Sequence, residues 1–117
     1  MGRLSTHVLD TARGKPAAGL AISLFSVFGN KRSLLKSVTT NEDGRTNEPL
    51  LSGSDLRQGI YELVFSAGDY HRAQGELLDT PPFLDQVVVR FGISDPAANY
   101  HVPLLLSPYG YSTYRGS

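Results

Sequence analysis

Tyr100-His101-Val102-Pro103-Leu104-Leu105-Leu106 is the stretch whose reading decides the fold. Successive side chains of a strand point to opposite faces. Tyr100, Val102, Leu104 and Leu106 then form one continuous apolar face, and His101, Pro103 and Leu105 form the other. An apolar face of this kind must be covered by a second layer. Pro103 breaks a rule inside the run, because proline forfeits a ladder hydrogen bond. Either the strand lies at a sheet edge or the loss is tolerated for shape. Rule-breaking of this sort is often found near functional sites.

The same alternation recurs outward from this segment. Gln86 to Ile93 puts Val87, Val89, Phe91 and Ile93 on one face, and Gly59 to Ser66 does the same with Tyr61, Leu63 and Phe65. Leu4 to Asp10 sets Leu4, Thr6 and Val8 against Ser5, His7 and Leu9. Leu20 to Phe28 and Ser33 to Thr40 are two further strands, joined through Gly29-Asn30, a hairpin signal. Asn41-Glu42-Asp43-Gly44 is a turn, with Arg45 directly after it. Gly68 to Gly75 is the only helix expected, and Tyr111 to the end is the last strand. Twelve glycines and seven prolines punctuate these short runs, which suits an all-β sandwich. The expectation is two antiparallel sheets, seven or eight strands and one short helix. A chain of 117 residues reads as a single domain, 1–117.

Lysine and arginine total 11 and aspartate and glutamate total 11, so the net charge is zero. That balance gives no sign of nucleic acid or an anionic membrane as a partner. It also gives little colloidal repulsion, which is compatible with an oligomer. There is no cysteine, so disulfides, thiolate chemistry and cysteine zinc sites are excluded together. No spacing of histidine and carboxylate reads as a metal site. The Gly14-Lys15 pair lacks the rest of a phosphate loop. The N-terminus has no signal-peptide h-region, and no run approaches the roughly 20 apolar residues of a membrane span. Cytoplasm is the expected compartment.

If the large apolar faces point into the sandwich, His7 and His101 both point out of it. By default each is a solvated surface residue. The same default applies to Arg45 after its turn and to His71 in the expected helix, which is expected at the surface. The Asp-Gly turn explains Asp43 better than acid–base work with Glu42 does. The end of the chain is unusual. Tyr109, Tyr111 and Tyr114 fall within the last nine residues. Disordered tails are poor in aromatics, so this end is expected to be packed, with its final residues and carboxylate inside something.

Several segments together are similar to the transthyretin-like family: His7-Val8-Leu9-Asp10-Thr11 with Gly14-Lys15-Pro16-Ala17, Gly59-Ile60-Tyr61-Glu62-Leu63-Val64-Phe65, and Tyr100 to Thr113. The closing Tyr114-Arg115-Gly116-Ser117 matches the tetrapeptide of the family's enzymatic branch, the 5-hydroxyisourate hydrolases. In the hormone carriers of the family, the positions of His7 and His101 are not histidine, and the chain runs past the position of Ser117. The resemblance implies a prealbumin-like sandwich. It implies hydrolysis of the ring amide of 5-hydroxyisourate to 2-oxo-4-hydroxy-4-carboxy-5-ureidoimidazoline in urate breakdown. It implies His7, Arg45, His101 and Ser117 as catalytic residues, with His7, Arg45, Tyr114 and Arg115 binding substrate. No metal or organic cofactor is implied. A homotetramer, a dimer of dimers with sites at the dimer–dimer contact, is implied as well. A transthyretin-type carrier without catalysis is the alternative, and a purely structural sandwich would leave the terminal motif unexplained. A histidine can take a proton from water and return it. Arginine can clamp a developing oxyanion with two donors. Which histidine acts as base is open at this point.

Overall fold

The computed structural model describes residues 2–116. Its strands are β1 (Arg3–Asp10), β2 (Lys15–Pro16), β3 (Ala21–Phe28), β4 (Lys31–Thr39), β5 (Leu51–Ser52), β6 (Gly59–Phe65), β7 (Val87–Ile93), β8 (Tyr100–Ser107) and β9 (Gly110–Thr113). One α-helix, α1 (Ala67–Ala73), follows β6. One sheet runs β2-β1-β8-β9, with β5 also paired to β1, and the other runs β4-β3-β6-β7. The two strands absent from the sequence reading, β2 and β5, are two residues long, too short to show any periodicity. No helix among the described residues is long and apolar enough to cross a membrane.

The sheets meet through the faces that alternation selects. Leu4, Val8, Leu104 and Leu106 come from the first sheet and Ile22, Leu24, Leu63 and Phe65 from the second, each at most 1% exposed. Burying one such side chain stabilises by roughly 1.5–3 kcal/mol. Thr6 and Asp10 are among the polar residues buried here, and both are hydrogen-bonded. Thr6 Oγ1 donates to the Val102 carbonyl at 2.7 Å. Asp10, 1% exposed, accepts from the Tyr70 hydroxyl at 2.7 Å and from the Arg13 amide at 3.0 Å. Burial, and then the Asp10 carboxylate, pushes the Tyr70 phenol above its ordinary range.

One pairing differs from the expected antiparallel pattern. β1 and β8 run parallel, in register from Leu4–Tyr100 to Asp10–Leu106. Parallel neighbours need a long crossover. Here the chain between them builds the whole second sheet and the helix, so no local turn signal reports the pairing. The interior place of β8, between β1 and β9, also decides the question raised by Pro103: it is not on an edge strand. The carbonyls of His101 and Pro103 both face the β9 side, where the Gly116 amide and the Thr113 hydroxyl donate to them at 2.7 Å each. The N–H that Pro103 lacks would point the same way. The β8–β9 register of Leu104 with Thr113 continues unbroken to His101 with Gly116. Proline thus interrupts the ladder without shifting it.

The helix corrects a second expectation. His71 is 1% exposed, not at the surface. α1 buries Ala67, Gly68, Tyr70 and His71 and shows Asp69, Arg72 and Ala73 to solvent. The rotation of so short a helix is set by what it packs on, so its sequence neighbours do not reveal it. Gly75, at φ +89°, ends the helix. Its amide donates to Arg72 O and that of Glu76 to His71 O, the paired bonds of a left-handed glycine cap.

Candidate active site

The outer face of the first sheet carries Ser5, His7, Leu9, His101 and Leu105, all half-buried. The parallel register sets Ser5 beside His101 and His7 beside Pro103. Ser5 Oγ lies 2.8 Å from His101 Nδ1. The sequence places Ser5 on the His7 face, yet this contact was not legible, because it depends on the parallel pairing.

Arg45 arrives through the turn that precedes it. The Asn41 side-chain carbonyl accepts from the amides of Asp43 and Arg45 at 2.9 and 3.1 Å. Gly44 adopts φ +76°, and a Cβ there would lie 2.3 Å from the Val8 carbonyl oxygen. Only glycine meets both demands. The Val8 amide donates to Gly44 O at 2.8 Å, and Arg45 bridges to His7. The turn is thereby bonded onto β1, with an exposed Arg45 beside the histidine. His7 Nε2 donates to the Asp43 carbonyl at 2.8 Å. A carbonyl only accepts, so the proton of a neutral His7 sits on Nε2 and its lone pair on Nδ1. Asp43 contributes its backbone here.

The third side of the site is the C-terminal segment. Gly116 bonds to the His101 carbonyl, and a Cβ at Gly116 would lie 2.8 Å from His101 Cδ2. Glycine lets the chain close against the imidazole. His101 is held below its ordinary pKa, first by partial burial and then by the Arg45 and His7 charges. At neutral pH it is an uncharged ring beside the Arg45 guanidinium.

The remaining candidates fall differently. Tyr114 is 61% exposed, and Tyr109 and Tyr111 are 64% and 46% exposed. The expected packing of the aromatic end is therefore not made within the chain, because β9 lies at the end of its sheet with no strand beyond it. Arg115 is not brought to the histidines. Its guanidinium lies 4.1 Å from the centroid of the Tyr100 ring and donates to Asn99 O at 3.2 Å. Ser117 lies outside the described residues.

The two-sheet sandwich has counterparts among known proteins. The HIUase/Transthyretin family matches residues 4–116, and the chain belongs to that family. Within it, the chain is 63% identical over 116 residues to the 5-hydroxyisourate hydrolase of Mesorhizobium japonicum, covering 99% of this chain and 93% of that one. The solved 5-hydroxyisourate hydrolase of Klebsiella pneumoniae superposes with a TM-score of 0.80 at 32% identity, covering 100% of both chains. Transthyretin from Sparus aurata superposes at 0.86 with 24% identity, covering 97% and 96% of the two chains, a likeness of fold alone.

Proposed function

We propose that the chain is a single-domain enzyme that hydrolyses 5-hydroxyisourate, opening its ring amide in urate breakdown. The observation that carries the reading is the arrangement of His7, Arg45 and His101 on one outer face, with His101 kept neutral. The hydrolase relatives support it as well.

Hydrolysis needs a base for water, charge stabilisation at the carbonyl oxygen, and a proton for the leaving nitrogen. We assign the base to His101 Nε2. Water loses a proton to it and attacks the carbonyl carbon. Arg45 donates to the oxygen as negative charge develops there. The C–N bond then breaks, and the imidazolium returns its proton to the departing nitrogen. His7 offers Nδ1 as an acceptor that orients the water or a substrate N–H. Tyr114 and Ser117 are assigned to substrate hydrogen bonds. Arg115 is assigned an indirect part in substrate binding, holding the last strand through Tyr100. A carrier channel would be lined more apolarly than this face.

The proposal includes a homotetramer, a dimer of dimers, in the cytoplasm. An open sheet face makes a poor reaction vessel, because useful electrostatics require a water-poor cleft. The exposed Tyr111 of the last strand, Tyr109 and Tyr114 on either side of it, and the strand's outer edge are surfaces that a second copy can cover. The test is the absorbance decay of freshly made 5-hydroxyisourate with and without the protein, alongside light scattering. Decay no faster than in buffer refutes the activity, and a fully active monomer refutes the assembly.

A further inference from the structure

We propose that Ser5 is a positioning residue for this hydrolysis: its hydroxyl holds the Nδ1 side of His101 and so presents Nε2 as the lone pair that meets water. The inference rests on the reading of His101 as the base.

The contact belongs to the scaffold. Ser5 and His101 are direct partners in the parallel register of β1 and β8, and the 2.8 Å bond joins two strands from the middle of the sheet. No loop motion is needed to make it. A hydroxyl can donate or accept. If Ser5 donates to Nδ1, the ring proton sits on Nε2 and no base faces the site. If Nδ1–H donates to Ser5, Nε2 is free. Once Nε2 has taken the proton from water, both ring nitrogens carry hydrogen, and the hydroxyl can only accept. The productive resting state and the imidazolium therefore use the same bond in the same direction.

That bond matters because, among the described residues, little else helps the imidazolium. The charged and titratable groups of those residues acting on His101 are Arg45, from the turn, and His7, from β1, and both disfavour a cation there. From the C-terminal side it meets the Gly116 backbone, which bonds to its carbonyl and not to the ring. Arg115 is turned onto Tyr100. The contrast with His7 is instructive: a backbone carbonyl fixes the His7 proton on Nε2, whereas a hydroxyl can follow His101 through both protonation states.

The test is a pH series of kcat and KM for the wild type, Ser5→Ala, Ser5→Thr and His101→Ala, with ¹⁵N NMR of the imidazoles. A hydrogen bond to a charged group is worth about 1.5–3 kcal/mol, so Ser5→Ala should lower kcat roughly 10- to 100-fold with KM little changed. Its acid limb should move to lower pH, because an imidazolium without its acceptor loses its proton more readily. Ser5→Thr keeps the hydroxyl and should recover most of the rate. NMR of the wild type should show His101 as the Nδ1–H tautomer when neutral, a readout that needs no variant to fold. A wild-type Nε2–H tautomer overturns the proposal. So does Ser5→Ala with wild-type kcat and limb in an enzyme that His101→Ala disables, or Ser5→Thr as damaged as Ser5→Ala. An inactive wild type would instead count against the functional reading, and an active His101→Ala against the base assignment.

Discussion

The outer faces of the two sheets both carry titratable groups with shifted pKa values, and they differ in what surrounds them. On the second sheet, Glu62 occupies an outward position of β6, opposite to Tyr61, Leu63 and Phe65, yet is only 5% exposed. Two arginines cover it, Arg90 from the neighbouring β7 and Arg32 reaching across β3 from β4. Arg90 donates from Nε at 2.9 Å and pairs from Nη2 at 2.8 Å, and Arg32 donates from Nη1 at 3.2 Å. Arg32 also rests 4.3 Å from the centroid of the Phe25 ring. The Arg90 hydrogen bond leads in drawing the Glu62 carboxyl below its usual range. On the first sheet, His101 is shifted first by burial and then by Arg45 and His7. One face has used its charges on itself. The other leaves a lone pair and a guanidinium available to a ligand. Perturbed groups of the second kind are candidates for chemistry, whereas self-paired networks explain their own shifts.

Alanine at each site breaks or sharpens that contrast most directly. His101→Ala and His7→Ala should each cut the hydrolysis rate by about 10²- to 10⁴-fold, the usual worth of acid–base help. Arg45→Ala should cost on the order of 10²- to 10³-fold, the usual worth of one oxyanion donor. Melting curves should stay close to wild type, since none of the three fills the core. Wild-type initial rates in all three variants would remove the distinction between the faces.

The pH profile gives a finer measure. His101 must be neutral to act, and its pKa lies below the ordinary 6.5. The midpoint of the acid limb should therefore lie below pH 6.5. The residual activity of Arg45→Ala should show its acid limb at higher pH, because removing a cation makes the imidazolium easier to form. A limb that stays in place or moves down would mean that Arg45 and His101 are not electrostatic neighbours.

His71 shows where the sequence stopped being legible. Period-2 alternation sorted His7 and His101 correctly because a strand has two faces, and membership of a sandwich fixes which one is wet. A helix of seven residues offers no such rule. His71 is buried against the edge of the Tyr70 ring, at a centroid distance of 5.4 Å, and its Nε2 has no hydrogen-bond partner. Ser5 was hidden for a different reason: its partner is set by pairing across most of the chain's length. The turn at Asn41–Gly44 was readable from its Asp-Gly signature, but its docking onto Val8 was not. His71→Ala should accordingly leave kcat unchanged and lower stability, by roughly 2–5 kcal/mol if the cavity does not collapse. Wild-type melting in this variant would show that the buried ring contributes no net packing.

The smallest effect belongs to the self-paired face, and it carries a definite sign. Glu62→Gln removes the charge while nearly keeping the shape. Both arginines remain largely in water, 47% and 59% exposed at their side chains, so each arm should be worth at most about 1 kcal/mol. A carboxylate whose pKa is lowered on folding stabilises above its unfolded pKa, and that contribution is lost as pH falls through the folded value. The wild type should therefore melt above Glu62→Gln at neutral pH, and the gap should shrink as pH drops from 4.5 toward the lower folded pKa. Hydrolysis rates of the two proteins should coincide at every pH where both are folded. A rate loss in Glu62→Gln would tie the second face to the chemistry, and a melting gap that widens with acid would reverse the sign of its ion pairs.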